Sequence, residues 1–208
     1  MEILVPYDPT EPKGRLRPAL AARERQSFAE AMLRDVIGAI EAAGHVPVVL
    51  TPAASALSCA CEMVDDARSL STAVTAQISR RLTAGAGAVG VIMADCALVT
   101  PETVTGLVST SGPVVLAPGR GGGTNGMVIR DPAFTADYHG ASIIDHRQIA
   151  AALGNPAAEV DSMRLATDID EPEDLPEVLL HSEGRAAAML KSWGFSLSRG
   201  EGRVGVTR

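Results

Sequence analysis

The stretch V-G-V-I-M-A-D-C-A-L-V-T, residues 89–100, most constrains what this chain can fold into. Its apolar run, residues 88–93, is short and unbroken, and a glycine-rich A-G-A-G-A precedes it. A strand with one face in water would alternate polar and apolar residues. An unbroken run instead fits a strand covered on both faces, in a parallel or mixed sheet. The run stops at Asp95, just beyond the carboxyl end of that strand. Ligands of open α/β sheets collect at that end, so Asp95 either holds a metal or a ribose or merely starts a turn.

The flanking sequence supplies what such a strand needs. Residues 2–6 read as a first strand. From 21 to 43 the apolar side chains Phe28, Met32, Leu33, Val36, Ile37 and Ile40 recur at helical spacing, and Gly44 stops the pattern. The run V-P-V-V-L at 46–50 closes a β-α-β unit, whose crossover is right-handed by the general rule. A helix is expected at 70–82, and another at 102–109 with Thr100 as its cap and Pro101 in its first turn. Short strands are expected at 113–117 and 127–130, with a last one ending at Leu165-Ala166. Ser142 is placed to cap a helix over 143–153, and two further helices fall at 172–180 and 183–193. Residues 51–68 carry little pattern.

One core accounts for the chain: 208 residues, 46% of them hydrophobic, suit a single domain over 1–198, with 199–208 as a surface tail. No apolar run approaches the roughly 20 residues that span a bilayer, and the first residues lack the pattern of a signal peptide, so the expected setting is cytoplasmic, without membrane contact. A net charge of -7 argues against a general nucleic-acid binder, which must neutralise phosphates. Cys59, Cys61 and Cys96 lack the paired spacing of a zinc site or a disulfide framework and are expected as reduced thiols.

In so acidic a chain, cations gathered in one place stand out. Lysine occurs only at Lys13 and Lys191, and Lys13 lies with Arg15 and Arg17 in a proline-studded loop, residues 7–18. Such a cluster suits phosphate oxygens, with a solvated basic loop as the alternative. R-G-G-G-T-N-G at 120–126 follows a short strand. Gly121, Gly122 and Gly123 carry no Cβ, so their amides can approach an anion, and Thr124 and Asn125 add polar side chains; a plain hairpin is the competing reading. Ser142, at a helix N-terminus, suits an anion for similar reasons. In T-D-I-D-E-P-E-D-L, Asp168 and Asp170 alternate, so in extended chain both carboxylates face one side and could share a divalent cation. Asp170 with Glu173 also satisfies a helix capping box, leaving Asp168 unexplained.

Taken in order, these stretches resemble the 2-phospho-L-lactate guanylyltransferase (CofC-like) family of deazaflavin coenzyme biosynthesis. That family lies within the glycosyltransferase-A-like (GT-A-like) nucleotidyltransferases. The matching residues are P-K-G-R-L at 12–16, M-A-D at 93–95 with L-V-T-P-E after it, G-G-G-T-N at 121–125, Tyr138 with Ser142, and D-I-D-E-P-E-D-L at 168–175. The chain departs from the family pattern at Cys96-Ala97, where Leu-Pro is usual, and at His139, where the family has glycine. The resemblance implies a single-domain, nucleotide-diphospho-sugar-transferase-like α/β fold: a mixed, mostly parallel sheet with helices on both faces. It implies GTP and a small phosphorylated carboxylic acid as substrates, Mg²⁺ as the metal, and a homodimer. Lys13, Arg15 and Asp95 would then be catalytic, with Lys13, Arg15 and Arg17 on the nucleotide. Asp95, Asp168 and Asp170 would hold the metal, and Gly121, Gly122, Gly123, Thr124, Asn125, His139 and Ser142 the acceptor.

Overall fold

The computed structural model describes residues 1–10, 12–198 and 204–208. Seven strands form one sheet: β1 (Glu2–Pro6), β2 (Val46–Thr51), β3 (Glu62–Asp65), β4 (Val89–Ile92), β5 (Val114–Pro118), β6 (Thr124–Ile129) and β7 (Ala158–Glu159). Their spatial order is β3-β2-β1-β4-β6-β5-β7. The pairs β1/β2, β1/β4, β2/β3 and β5/β7 are parallel, and β6 runs antiparallel to both β4 and β5. The sheet is therefore mixed and mostly parallel, as expected.

Helices cover both faces. One core packs α1 (Ala22–Ala42), α3 (Pro101–Ser109), α6 (Leu175–His181) and α7 (Arg185–Ser192) against one side of the sheet. The other packs α2 (Leu70–Thr83) and α4 (Ser142–Ala152) against the opposite side. All six apolar positions that predicted α1 are buried, which makes it the main cover of its face. Thr100 caps α3 by accepting from the Thr103 amide at 3.3 Å, with Pro101 in the first turn. Asp35 of α1 caps α7 across the fold, taking the amides of Arg185 and Ala186 at 2.8 and 2.9 Å. In β4, Gly90 lies beside Ile3 of β1 so closely that an added Cβ would stand 2.9 Å from Ile3 Cγ1.

Several expectations change. Residues 163–166 form a short helix, α5 (Met163–Ala166), and not a strand, because Ser162 caps it by accepting from the Leu165 amide. Ser142 is the first residue of α4; Ala141 occupies the cap position and the Ser142 hydroxyl turns inward instead. The weakly patterned stretch after β2 contains the edge strand β3, whose residues are exposed or half-buried and so show no strong hydrophobic pattern. Cys59 and Cys61, expected as free thiols, are paired as a disulfide, because the chain bends at residues 60 and 61 and brings their Cα atoms to 5.4 Å. Cys96 is free and buried. In the stretch expected as a tail, β9 (Gly205–Thr207) pairs antiparallel with β8 (Ser196–Ser198), and Arg208 reaches Glu24 of α1; residues 199–203 of that stretch lie outside the described residues.

Candidate active site

The carboxyl ends of β3, β2, β1 and β4 line one cleft of about 740 Å³. At its β1/β4 end stand Lys13, Arg15, Asp95 and Asp170; at its β3/β2 end stand Pro52, Asp66, Arg68, Leu70 and Ala73; Arg17 also lines it. The chain leaves β1 at Pro6 and returns as a 3-10 turn at Gly14–Leu16, pinned by the buried Leu16 and Leu20. Lys13 precedes that turn with φ 57° and ψ 48°, the left-handed region that a side chain rarely occupies. Such strain persists only where surrounding contacts hold it, and here the ammonium supplies them. Lys13 Nζ donates to Asp95 Oδ2 at 2.7 Å and to Asp170 Oδ1 at 2.6 Å, with its side chain only 11% exposed. Burial alone would lower the Lys13 pKa, but the charges and hydrogen bonds of Asp95 and Asp170 outweigh it and hold the pKa above its ordinary value.

Asp170 reaches this position by backbone bonding. The Ile169 amide donates to the Asp95 carbonyl at 3.1 Å, laying the D-I-D segment beside the end of β4. Asp174 Oδ2 then accepts from the amides of Asp170 and Glu171 at 3.0 and 2.9 Å, while its Oδ1 takes Arg120 Nη2 at 3.2 Å. The capping box is therefore Glu171 with Asp174, one residue later than expected. Pro172 contains the signal: proline favours the first helical position, so the cap precedes it and the third position is Asp174. Asp170 is released from capping and turns to Lys13 and, at 3.5 Å, to Arg15.

Asp168 does not join that cluster. Its Oδ1 accepts from Asn125 Nδ2 at 3.1 Å, and the same amide group donates to the Leu165 carbonyl at 2.8 Å. No group of three or more His, Cys, Asp or Glu poised to hold a metal occurs among the described residues. Two carboxylates nevertheless suit Mg²⁺, which takes one or two from the protein and completes its shell with water and substrate phosphates. Asp95 Oδ1 is buried with no hydrogen-bond partner among the described residues, and a buried carboxylate oxygen left this way is costly unless a ligand uses it. Asp95 and Asp170, both hard oxygen donors facing a cation position now filled by an ammonium, fit the metal.

The glycine-rich stretch forms the competing structure, a hairpin between β5 and β6. The Gly119 amide bonds the Gly123 carbonyl at 2.9 Å, and the Gly122 amide bonds the Gly119 carbonyl at 3.0 Å, so the Gly122 amide is spent inside the turn. Gly122 has φ 84°, which the turn requires. Thr124 and Asn125 are buried in β6, and strand alternation sends them opposite ways. Asn125 faces the D-I-D segment. Thr124 faces α4, where its hydroxyl meets His146 Nδ1 at 2.8 Å and Ser142 Oγ at 3.3 Å. His146 Nε2 accepts from the Asp137 amide at 2.9 Å, so Nδ1 carries the proton and donates it to Thr124. Burial pushes the His146 pKa down to about 4. His139 is exposed and its ring pairs with Asp137, two residues earlier. Of the seven expected acceptor residues, Asn125 hydrogen-bonds the carboxylate segment, through Asp168. Cys96 is fully buried behind the site; burial, then the nearby Asp95 and Asp168 charges, raise its thiol pKa.

The family described as "Guanylyl transferase CofC like" matches residues 1–208. The 2-phospho-L-lactate guanylyltransferase of Haloarcula marismortui is 50% identical over 208 residues, spanning 100% of this chain and 99% of its own. That of Natronomonas pharaonis is also 50% identical over 208 residues, again covering 100% and 99%. Among solved structures, a putative nucleotide-diphospho-sugar transferase from Desulfovibrio desulfuricans G20 superposes with a TM-score of 0.75 over 92% of this chain and 94% of its own. At 14% identity that likeness concerns the fold alone.

Proposed function

This chain belongs to the CofC-like guanylyl transferase family, and we propose that it transfers GMP from GTP to 2-phospho-L-lactate, forming lactyl-2-diphospho-5′-guanosine and pyrophosphate in deazaflavin coenzyme biosynthesis. The observation that supports this reading is the Lys13 ammonium held between Asp95 and Asp170 in a cleft at the strand ends. A phosphate monoester oxygen attacks the α-phosphorus of GTP as the bond to the β-phosphate oxygen breaks. The acceptor is already anionic near pH 7, so no general base is required and the protein's work is to position two anions and offset charge. Lys13 would exchange its carboxylate partners for phosphate oxygens, and Arg15 and Arg17 would extend the cationic wall toward the leaving pyrophosphate. Asp95 and Asp170 would hold Mg²⁺, with Asp168 beside them. When bound, the metal polarises phosphoryl oxygens as a Lewis acid. Asn125, fixed by the Leu165 carbonyl, keeps Asp168 turned toward the hairpin.

The same reading includes GTP binding, a homodimer and a cytoplasmic setting. Among the described residues no helix is long and apolar enough to cross a membrane. Pyrophosphate release from GTP, ATP, CTP and UTP, each tested with 2-phospho-L-lactate, phosphoenolpyruvate and 3-phosphoglycerate, tests the proposal. Turnover confined to GTP with 2-phospholactate and dependent on Mg²⁺ supports it. GTP binding without turnover on any acceptor sinks it, and light scattering on the purified protein tests the dimer.

A further inference from the structure

The end of the cleft farthest from Asp95 carries a polar group that the transfer chemistry leaves unused. Asp66 and Arg68 follow β3. The Asp66 amide donates to the Thr51 carbonyl of β2 at 2.8 Å, and its side chain is only 8% exposed. The carboxylate grips Arg68 side-on: Nε donates to Oδ1 at 2.8 Å and Nη2 to Oδ2 at 2.5 Å. The Arg68 amide also donates to Oδ1, at 3.1 Å, so the pair is held at both side chain and backbone. A guanidinium has five N–H donors, and this grip uses two. The Nη1 edge with the second Nη2 hydrogen forms a planar fork that meets no protein acceptor among the described residues.

Strand order supplies a ruler. β3 and β4 are three steps apart in β3-β2-β1-β4, which at about 4.8 Å per step is about 14 Å. Arg68 follows β3, whereas the α-phosphorus must lie near Asp95, after β4. The fork is thus displaced from the reacting phosphate by roughly the length of a nucleoside, and the ground between is apolar, with Leu50 and Pro52 on β2's end and Leu70 and Ala73 on α2. A flat heterocycle suits such ground, and a phosphate does not.

Building on the guanylyl-transfer reading, we propose that Arg68, buttressed by Asp66, is the base-reading residue and donates its free fork to O6 and N7 of guanine. Guanine presents two adjacent acceptors on that edge. Adenine presents one acceptor and one donor, so one arm of the fork would face N–H against N–H. The pyrimidines lack the pair altogether. A bidentate contact of this kind is worth about ten- to a hundredfold in discrimination.

The test compares kcat/KM for GTP, ITP, 7-deaza-GTP and ATP in the wild-type protein, Arg68→Met and Asp66→Asn, with 2-phospho-L-lactate as acceptor. ITP keeps O6 and N7, so the wild type should use it within a few-fold of GTP. It should use 7-deaza-GTP about tenfold less well. Arg68→Met should lose about ten- to a hundredfold in kcat/KM for GTP, through the KM for GTP, with the acceptor KM unchanged, and should no longer distinguish GTP from 7-deaza-GTP. Asp66→Asn should give a smaller loss of the same pattern. A wild type indifferent to 7-deaza substitution, or an Arg68→Met loss equal for both nucleotides, overturns the assignment, the latter because it marks a phosphate or structural role; so does no loss at all. Should the wild type release no pyrophosphate, the transfer reading fails on its own, and calorimetric titration of GTP and 7-deaza-GTP into the same proteins still decides the role of Arg68 by the same pattern.

Discussion

Replacing Lys13 with methionine keeps the stem and removes the charge that joins Asp95 to Asp170. Both ion pairs are short, 2.7 and 2.6 Å, with carboxylate side chains 23% and 36% exposed. Removing one partner of a fully buried pair costs about 3–5 kcal/mol, and an exposed pair is worth about 0–1 kcal/mol. This half-open site should fall between, at about 2 kcal/mol after solvent screening. For a chain of this size each kcal/mol moves Tm by about 2–4 °C, so Lys13→Met should melt about 4–8 °C below the wild type in EDTA. With the ammonium gone, two carboxylates face each other and the cation position is open. Mg²⁺ should therefore bind the variant more tightly than the nucleotide-free wild type, and at ten times its Kd should return about 1.4 kcal/mol. Turnover should stay low, down about a hundredfold or more at saturating GTP, because the phosphate contact is not restored. Differential scanning fluorimetry with and without Mg²⁺, beside a pyrophosphate assay, reads all three effects. A variant that melts like the wild type in EDTA, or that Mg²⁺ does not stabilise beyond the wild type, refutes the view of Lys13 as a cation standing between metal ligands.

Asp95→Asn and Asp170→Asn should each lower kcat by about 10² or more while leaving the fold intact, since shape is kept and charge is lost; near-normal turnover with unchanged Mg²⁺ dependence would remove that residue from the site. His146 is buried and its pKa is pushed down to about 4, below the unfolded value of about 6.5. Its neutral ring stabilises the fold fully above about pH 6.5, and the contribution is lost as pH falls to about 4, by up to about 3 kcal/mol. Urea unfolding at pH 7, 5.5 and 4.5 should show that slope in the wild type and a shallower one in His146→Gln. Gly90→Ala forces a methyl to within 2.9 Å of Ile3 Cγ1 in the middle of the sheet and should destabilise by about 1–3 kcal/mol, read as a lower urea midpoint with m unchanged.

The central strand, α1 and the α3 cap were legible in the residues because each rests on a local cause. Ala88 to Met93 is apolar throughout, α1 carries its six apolar side chains at helical spacing, and Thr100-Pro101 supplies both cap and first turn. The cationic loop was legible as chemistry, since Lys13, Arg15 and Arg17 stand together in an acidic chain. Its partner was not: Lys13 meets Asp95 and Asp170, 82 and 157 residues away, and only the stacking of β1 beside β4 with the Ile169 to Asp95 bond brings them together. Alternation predicts the Asp168 and Asp170 carboxylates on one side, but their partners come from distant segments: Asn125 donates to Asp168 and Lys13 to Asp170. The glycine triplet suggested an anion cradle from its composition. Hairpin closure between β5 and β6 commits the Gly122 amide to the Gly119 carbonyl, a bond that composition does not reveal. Asp66 and Arg68 gave no signal in a stretch without periodicity, because their meaning is positional: β3 lies three strands from β4, and that distance exists only in the assembled sheet. Local propensity and hydrophobic period are written residue by residue, so the chain alone determined its elements and its class. Which side chains share the cleft depends on strand order and on competition for buried hydrogen bonds, and these arise only when distant segments pack.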